Sequence, residues 1–507
     1  MSYYGVSGHY DQHHRGYDID YIARQSYSIS RRRYVVQEIG LLLFPAGHLQ
    51  DLPVLKHPLY NPETNQDCTH RMEEFLILHQ TGQMALIEPQ GPQEPRQHFK
   101  ISSINPLIVF RRKYFWVDIS FKKRSNNRIS TMRPPVEVSV LIVSLLAPGV
   151  LYTINNIPAL QEPLPILGLG MFILGFVLLL LRLTVSNQTK VDPLFYVFAE
   201  FSFTCMVGLT NALEQDGFIS GFMGFYLKKG EPHLSTAYAV MMSYWDGIVH
   251  FILFLTIIHR MFRGKSYRSL GLLWAGSSIA NQIVLIPGVV IGKYGSNIRP
   301  GFWRNVPFFL APFWAASVLF SRPREMPVVT ADKISAEQKK GLLFRPVDLL
   351  LSLMLLGAMA FSVFRGFVVL DCPLDTCFTY IYQYEPYLKD PVVFPRVMVL
   401  VYLFYAMPLM AFFTYGLRTP GCSWMLDWTI FFAGAMAQSQ WCHIGASQHS
   451  RTPYTYRVPA DKWWPVITLN VLLAALPALL ALRCHTNPIY FMKPVPEGQT
   501  NKGKKEN

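Results

Sequence analysis

From Met132 onward the chain alternates apolar runs of about 20 residues with short polar connections. A helix of about 20 apolar residues is long enough to cross the hydrocarbon core of a bilayer. The pattern predicts about ten membrane-spanning helices, at roughly 137–154, 165–185, 193–213, 236–258, 269–291, 301–320, 347–370, 396–417, 427–447 and 466–484. The predicted fold class is therefore an all-α polytopic membrane protein.

The composition supports the membrane class and excludes several others. Of the residues, 51% are hydrophobic and 15% are charged, so a soluble chain of this kind could not cover its surface with polar groups. The net charge of +14 does not indicate nucleic-acid binding, because Lys and Arg lie mainly in the N-terminal segment, the connections and the tail. Cys and His pairs at metal-ligand spacing and Gly-rich phosphate loops are both missing, so we expect no metal and no soluble cofactor.

Residues 1–131 differ from the rest of the chain. They are polar, rich in Tyr, Gln, Arg and His, and contain no run long enough to span a bilayer. Two interpretations stay open. The segment is a weakly ordered cytosolic tail, or Met132 is the true start of the protein and the preceding residues are an artefact of gene annotation. We favour the second, because the membrane part begins directly at Met132.

Basic residues in the connections predict the orientation of the helices, since cytosolic loops are enriched in Lys and Arg. With an even number of helices, both termini lie in the cytosol. The connection that holds Cys372 and Cys377 lies on the lumenal side, where an oxidising environment permits a disulfide. Two free thiols are the equal alternative. The predicted cytosolic side carries Lys122, Lys123, Arg124, Arg133, Arg182, Lys190, Arg260, Arg263, Lys265, Arg268, Arg322, Arg324, Lys339, Lys340, Arg345 and Arg418.

The last eight predicted helices resemble two copies of a four-helix unit. In the last helix of each copy, an asparagine stands seven residues before a proline. The pairs are Asn305 and Pro312 in the first copy, and Asn470 and Pro477 in the second. After the first helix of each copy come two similar tetrapeptides, Tyr226-Leu227-Lys228-Lys229 and Tyr387-Leu388-Lys389-Asp390. Two copies of both features indicate an internal duplication.

Ionisable side chains inside apolar spans are costly, so they are the first candidates for function. Asp246 lies near the middle of its span and His250 is one turn further on, on the same helix face. Such a pair can move protons, hold a hydroxylated or cationic ligand, or only fix the packing. Trp245 and Phe308 are candidates to line an apolar ligand cavity. Other polar residues within spans are more simply explained as contacts between helices: Glu200, Arg365, Gln438, Gln440 and His443.

Several sequence motifs resemble the transmembrane 6 superfamily over about residues 132–492. The resemblance implies two EXPERA domains, the fold of the emopamil-binding sterol isomerase and the sigma-2 receptor. Two helices at 132–190 then precede the first domain at 191–325, a cytosolic linker at 326–346, the second domain at 347–485 and a tail at 486–507. The motifs include Tyr244-Trp245-Asp246-Gly247, Phe364-Arg365-Gly366-Phe367, Gln383-Tyr384-Glu385-Pro386-Tyr387-Leu388 and Pro420-Gly421-Cys422-Ser423-Trp424.

The resemblance also implies a location and candidate site residues. Family members are described as endoplasmic-reticulum proteins that promote lipidation and secretion of triglyceride-rich lipoprotein. Lys504 and Lys505 resemble the dilysine retrieval signal that coat proteins read, which fits the endoplasmic reticulum and its intermediate compartment with the Golgi. Asp246 and Asn305 match positions of the isomerase domain. The second-unit equivalents are Arg365, Tyr402 and Asn470, where Arg365 stands at a position expected to be acidic.

Three functions remain open at this stage. The leading hypothesis is a non-catalytic protein that binds sterol or neutral lipid between its helices and supports lipoprotein assembly, with lipoprotein-assembly proteins as partners. The second is a sterol isomerase-like enzyme that uses Asp246 and His250, although the second unit lacks a complete set of acids and bases. The third is a lipid transporter or scrambler, which internal repeats and broken helices would permit.

Overall fold

A computed structural model describes residues 134–188 and 190–493, so the predictions for residues 1–131 and for Lys504 and Lys505 lie outside the described residues. The described chain folds into helices without β-strands. The long helices of this part, numbered α1 to α10 in chain order, are Val136–Asn155, Pro163–Thr184, Leu194–Gln215, Ala237–Phe262, Arg268–Ile291, Asn305–Ser321, Pro346–Val369, Phe394–Arg418, Met425–Gln448 and Trp463–Thr486.

The all-α polytopic membrane fold is confirmed. Within the described ranges, eight helices are long and apolar enough to cross a membrane. The other two differ for separate reasons: α6 has 17 residues, and α9 carries buried polar side chains such as Gln438 and His443. Helix α9 packs between α5 and α10 and also contacts α4. A helix surrounded by protein does not need an apolar surface, which explains why α9 is more polar than a lipid-facing span.

Successive helices run in opposite directions, because the connections meet at two separate ends of the bundle. At one end, His449 after α9 contacts Asp216 after α3, with 2.9 Å between Nε2 and Oδ1. At the other end, Arg322 after α6 contacts Asp192 before α3, with 2.8 Å between Nη1 and Oδ2. The first end corresponds to the predicted lumenal side and the second to the predicted cytosolic side.

Helices α3–α6 and α7–α10 correspond to the two predicted four-helix units, and in each an ion pair joins the first helix to the last. Asp192 and Arg322 join the beginning of α3 to the end of α6. Asp348 in the first turn of α7 joins Arg483 in the last turn of α10, with 2.6 Å between Oδ1 and Nε. The short helix Ala331–Gln338 lies in the linker between the units. The two units and the helices before them belong to one compact body.

The units pack against each other through α5 and α9, where two glycines allow the backbones to touch. A Cβ atom at Gly276 would lie 1.9 Å from the carbonyl oxygen of Phe431. A Cβ atom at Gly434 would lie 2.0 Å from the carbonyl oxygen of Leu273. Small residues at such crossings are typical of helix packing in membranes.

A π-helical turn interrupts the second helix of each unit. It covers Trp245–His250 in α4 and Tyr402–Ala406 in α8. Such turns widen the helix locally and are frequent at functional sites. The predicted Asn–Pro pattern differs in detail between the copies: Asn470 lies inside α10, whereas Asn305 is the first residue of α6.

Candidate functional site

A cavity of about 210 Å³ lies in the first unit, walled by α1, α2 and α3 on one side and by α4, α5 and α6 on the other. It exceeds the roughly 150 Å³ of an apolar cavity that holds a benzene-sized ligand. Most of its lining is apolar. The apolar residues are Ala147, Val150, Leu151, Ile154, Ile166, Leu169, Ile173, Leu174, Phe201, Phe203, Val207, Met223, Phe225, Leu234, Met242, Leu285 and Phe308.

Asp246 and His250 line this cavity from the π-helical turn of α4. The Oδ1 atom of Asp246 lies 2.8 Å from Nδ1 of His250. The opposite ring nitrogen, Nε2, lies 2.8 Å from the hydroxyl oxygen of Ser277 on α5. Trp245 donates its indole N–H to the same hydroxyl oxygen at 3.0 Å. The ring of His250 is therefore held from both sides, and the carboxyl group of Asp246 is directed along the cavity wall.

Gly247 explains how this turn comes so close to α3. A Cβ atom at Gly247 would lie 2.5 Å from the Cβ atom of Leu209. The glycine lets the turn pack on α3 at a distance that a larger residue would prevent. The close approach places Asp246 beside the residues of α3 that line the cavity.

A second polar group lies at the end of the cavity nearer the predicted lumenal side. Glu231, in the connection between α3 and α4, is 2% exposed. Its Oε2 atom lies 3.0 Å from Nη2 of Arg304, and its Oε1 atom accepts a hydrogen bond from Nδ2 of Asn305 at 2.5 Å. Tyr226 donates its hydroxyl to the same carboxylate. Burial raises the pKa of the Tyr226 phenol well above its usual value, so the phenol stays protonated as a donor.

The second unit contains a matching group around Glu385, which is completely buried. Tyr380 donates its hydroxyl to Glu385 at 2.9 Å, and Asn470 donates its amide N–H at 3.0 Å. Arg365 lies 2.8 Å from the same carboxylate and donates to His443 at 2.9 Å. Although burial opposes it, the guanidinium of Arg365 holds the pKa of Glu385 well below its ordinary value. Glu385 is therefore a carboxylate.

This geometry changes the alignment of the two copies. Tyr226 stands five residues before Glu231, and Tyr380 stands five residues before Glu385. Each tyrosine donates to its glutamate, so Tyr226 corresponds to Tyr380 and not to Tyr387 as the tetrapeptides suggested. Arg365 stands at a position expected to be acidic, and the connection supplies an acid beside it, Glu385.

The remaining candidates divide between the cavity and other places. Phe308 lines the cavity and packs on Phe201, with 5.1 Å between ring centroids. Trp245 donates a hydrogen bond to Ser277 and does not line the described cavity. Tyr402 accepts a hydrogen bond from Gln440 at 2.7 Å.

The two cysteines of the predicted disulfide lie in the connection between α7 and α8, where they are not bonded in this structure, and the disulfide stays a prediction. Metal-ligating clusters of His, Cys, Asp and Glu do not occur within the described ranges.

Comparison with known proteins places this architecture in a family. A family model described as the transmembrane domain of transmembrane 6 superfamily member 2-like proteins matches residues 146–330, from α1 to the linker. Transmembrane 6 superfamily member 2 of Homo sapiens is 46% identical over 363 residues, covering 72% of this chain and 96% of the relative. The protein of that name from Rattus norvegicus is 45% identical over 374 residues, covering 74% and 99%. No solved structure matches the chain. The chain therefore belongs to the transmembrane 6 superfamily.

Proposed function

We propose that the first unit binds a sterol or neutral lipid in its cavity, as a lipid-handling protein without catalytic activity. The cavity carries this proposal, because a largely apolar wall with a few polar groups is the lining that a lipid with a small polar end requires. Asp246 is the central polar contact, since it lines the cavity and has 28% of its side chain exposed. The two helices before the unit complete the wall with Leu151, Ile166 and Ile173.

The proposed cellular role follows from the family. We propose that the protein resides in the membrane of the endoplasmic reticulum and the intermediate compartment, with both termini in the cytosol. It would supply or buffer lipid during the lipidation and secretion of triglyceride-rich lipoprotein, with lipoprotein-assembly proteins as partners. Coat proteins that read Lys504 and Lys505 would return it from later compartments.

A matched pair of substitutions tests the lipid site. Asp246→Asn and Glu200→Gln each replace a carboxyl group on a long helix by an amide, but only Asp246 lines the cavity. We expect Asp246→Asn to reduce labelling by a photoreactive sterol about tenfold, because a charge-assisted contact contributes roughly 1.5–3 kcal/mol. Glu200→Gln should retain labelling.

The measurement is saturable crosslinking of the purified full chain in nanodiscs, with melting temperature as a check on folding. Equal labelling of both variants and the wild type would remove Asp246 from the site. Absence of saturable labelling in the wild type would refute lipid binding in the cavity.

The 2.8 Å contact between Asp246 and His250 favours one alternative, a sterol isomerase-like enzyme. Such a reaction protonates one carbon of a double bond and removes a proton from another, so it needs an acid and a base beside the sterol. His250 is already engaged by Ser277, and Glu231 is engaged by Arg304. Sterol analysis of the same nanodiscs after incubation with an unsaturated precursor decides between the two, because only an enzyme changes the sterol composition.

A further inference from the structure

Two fully buried amides line the cavity with oxygen atoms that lack a partner among the described residues. These atoms are Oδ1 of Asn211 on α3 and Oδ1 of Asn281 on α5, in side chains that are 1% and 2% exposed. Gln282, beside Asn281, presents a third unpartnered oxygen, Oε1. Buried polar atoms are nearly always hydrogen-bonded, so unpartnered atoms beside a cavity point to a ligand that completes them.

The contacts of the amide nitrogen, Nδ2, fix the orientation of the Asn211 amide. Its Nδ2 atom donates to the carbonyl oxygen of Leu234 at 3.3 Å and to the hydroxyl oxygen of Ser243 at 3.4 Å. Turning the amide over would place its oxygen against the carbonyl of Leu234, acceptor against acceptor. Asn211 therefore offers the cavity an acceptor and no donor.

Two charged groups beside the cavity bear on this polarity. Asp246 is a further acceptor. The strong donor Arg304 binds Glu231 and Tyr226 through its Nη2 atom. A lipid hydroxyl can donate to Asn211 or Asp246. A fully acylated lipid, such as a triacylglycerol or a steryl ester, has only acceptor oxygens and would leave these groups unpaired.

We infer, on the basis of the proposed lipid site, that the cavity selects lipids with a free hydroxyl group over their acylated or etherified forms, and that Asn211 determines this selectivity. A site that hydrogen-bonds a ligand hydroxyl discriminates against an analogue without it, because the buried partner of that hydroxyl is then left unpaired. The inference narrows the ligand from neutral lipids in general to those that carry a hydrogen-bond donor.

Cholesterol and cholesterol methyl ether form the sharpest test. The ether keeps the rings, the tail and the oxygen atom, and lacks only the donor. Each competes with a photoreactive sterol for the full chain in nanodiscs. We expect cholesterol to compete at a concentration about five- to tenfold lower than the ether, as loss of one net hydrogen bond implies.

Asn211→Leu should lower this ratio toward one, because the acceptor assigned to the ligand hydroxyl is gone while Asp246 remains. Gln438→Leu is the matched control: Gln438 is a fully buried amide on α9 that also has an unpartnered oxygen, but it does not line the cavity. The control should keep the wild-type ratio. If Asn211→Leu does not give folded protein, Asn211→Ala serves in its place.

Each outcome decides the inference. Equal competition by sterol and ether in the wild type would overturn the hydroxyl selectivity, while saturable labelling would leave the lipid site intact. A wild-type ratio that persists in the Asn211 variant would overturn the assignment to Asn211. Absence of saturable labelling would overturn the inference together with the proposed lipid site.

Discussion

At the scale of single residues, the state of His250 follows from its neighbours. The carboxylate of Asp246 contacts Nδ1 of His250. This nitrogen therefore carries the proton and donates a hydrogen bond to the carboxylate. Nε2 then accepts hydrogen bonds from Ser277 and from the indole of Trp245, at 2.8 and 3.1 Å. In this arrangement both ring nitrogens of His250 have fixed partners. A carboxylate in an apolar wall then favours a ligand that donates a hydrogen bond.

We predict a disulfide between Cys372 and Cys377 in the mature protein. The thiols are in contact, since the hydrogen bond with Cys372, together with burial, raises the pKa of Cys377 to about 11. A protonated thiol oxidises slowly by itself, so the bond should require the oxidising machinery of the secretory pathway. The peptide that spans both cysteines should gain two alkyl groups only after reduction, as measured by mass spectrometry. Alkylation of both thiols without reductant would contradict the prediction and place free thiols in the loop.

The sequence makes Asp246 and His250 visible because they interrupt an apolar run, where an ionisable side chain stands out. It does not reveal Glu231 and Glu385, because both lie in polar connections where a glutamate is ordinary. Their burial results from the connections folding back between the helix ends, which depends on contacts with Asn305 and Asn470. The repeated spacing from tyrosine to Glu-Pro is the signal that could have identified them.

At the scale of elements, the helix positions were predictable because apolar runs fix them, and the packing between helices was not. Neither the π-helical turns of α4 and α8 nor the ion pair between Asp192 and Arg322 has a hydropathy signal. The contact between α5 and α9 likewise has no hydropathy signal. It depends on two glycines that look unremarkable within long apolar segments, although they decide how closely the units approach.

Gly276→Ala and Gly357→Ala should therefore have opposite effects. Alanine is favoured over glycine in a helix by about 1 kcal/mol. At Gly357 on α7 a Cβ atom meets nothing within 4 Å, so this change should be neutral or stabilising. At Gly276 the Cβ atom would collide with the backbone of α9, so the melting temperature should fall by several degrees. Thermal unfolding in detergent measures both. A Gly276 variant as stable as the Gly357 variant would show that the helices can separate without cost.

At the scale of the whole molecule, the two units contain similar polar groups in different surroundings. In the first unit, Glu231 and its partners form one end of a cavity. In the second unit, Arg365 binds Glu385, His443 and Asn470 at once, and none of these residues lines the cavity of the first unit. The division suggests that the first unit holds the ligand and the second supports it through the contact between α5 and α9.

Arg365→Met tests this division of roles. Removing one partner of a buried ion pair leaves the other charge uncompensated and costs about 3–5 kcal/mol. We therefore expect a large fall in melting temperature, while the photoreactive sterol still labels the folded fraction with unchanged affinity. Asp246→Asn should give the reverse, weak labelling with little loss of stability, because Asp246 is partly exposed to the cavity. If Arg365→Met abolished labelling at normal stability, the ligand would reach the second unit and the separation of roles would be wrong.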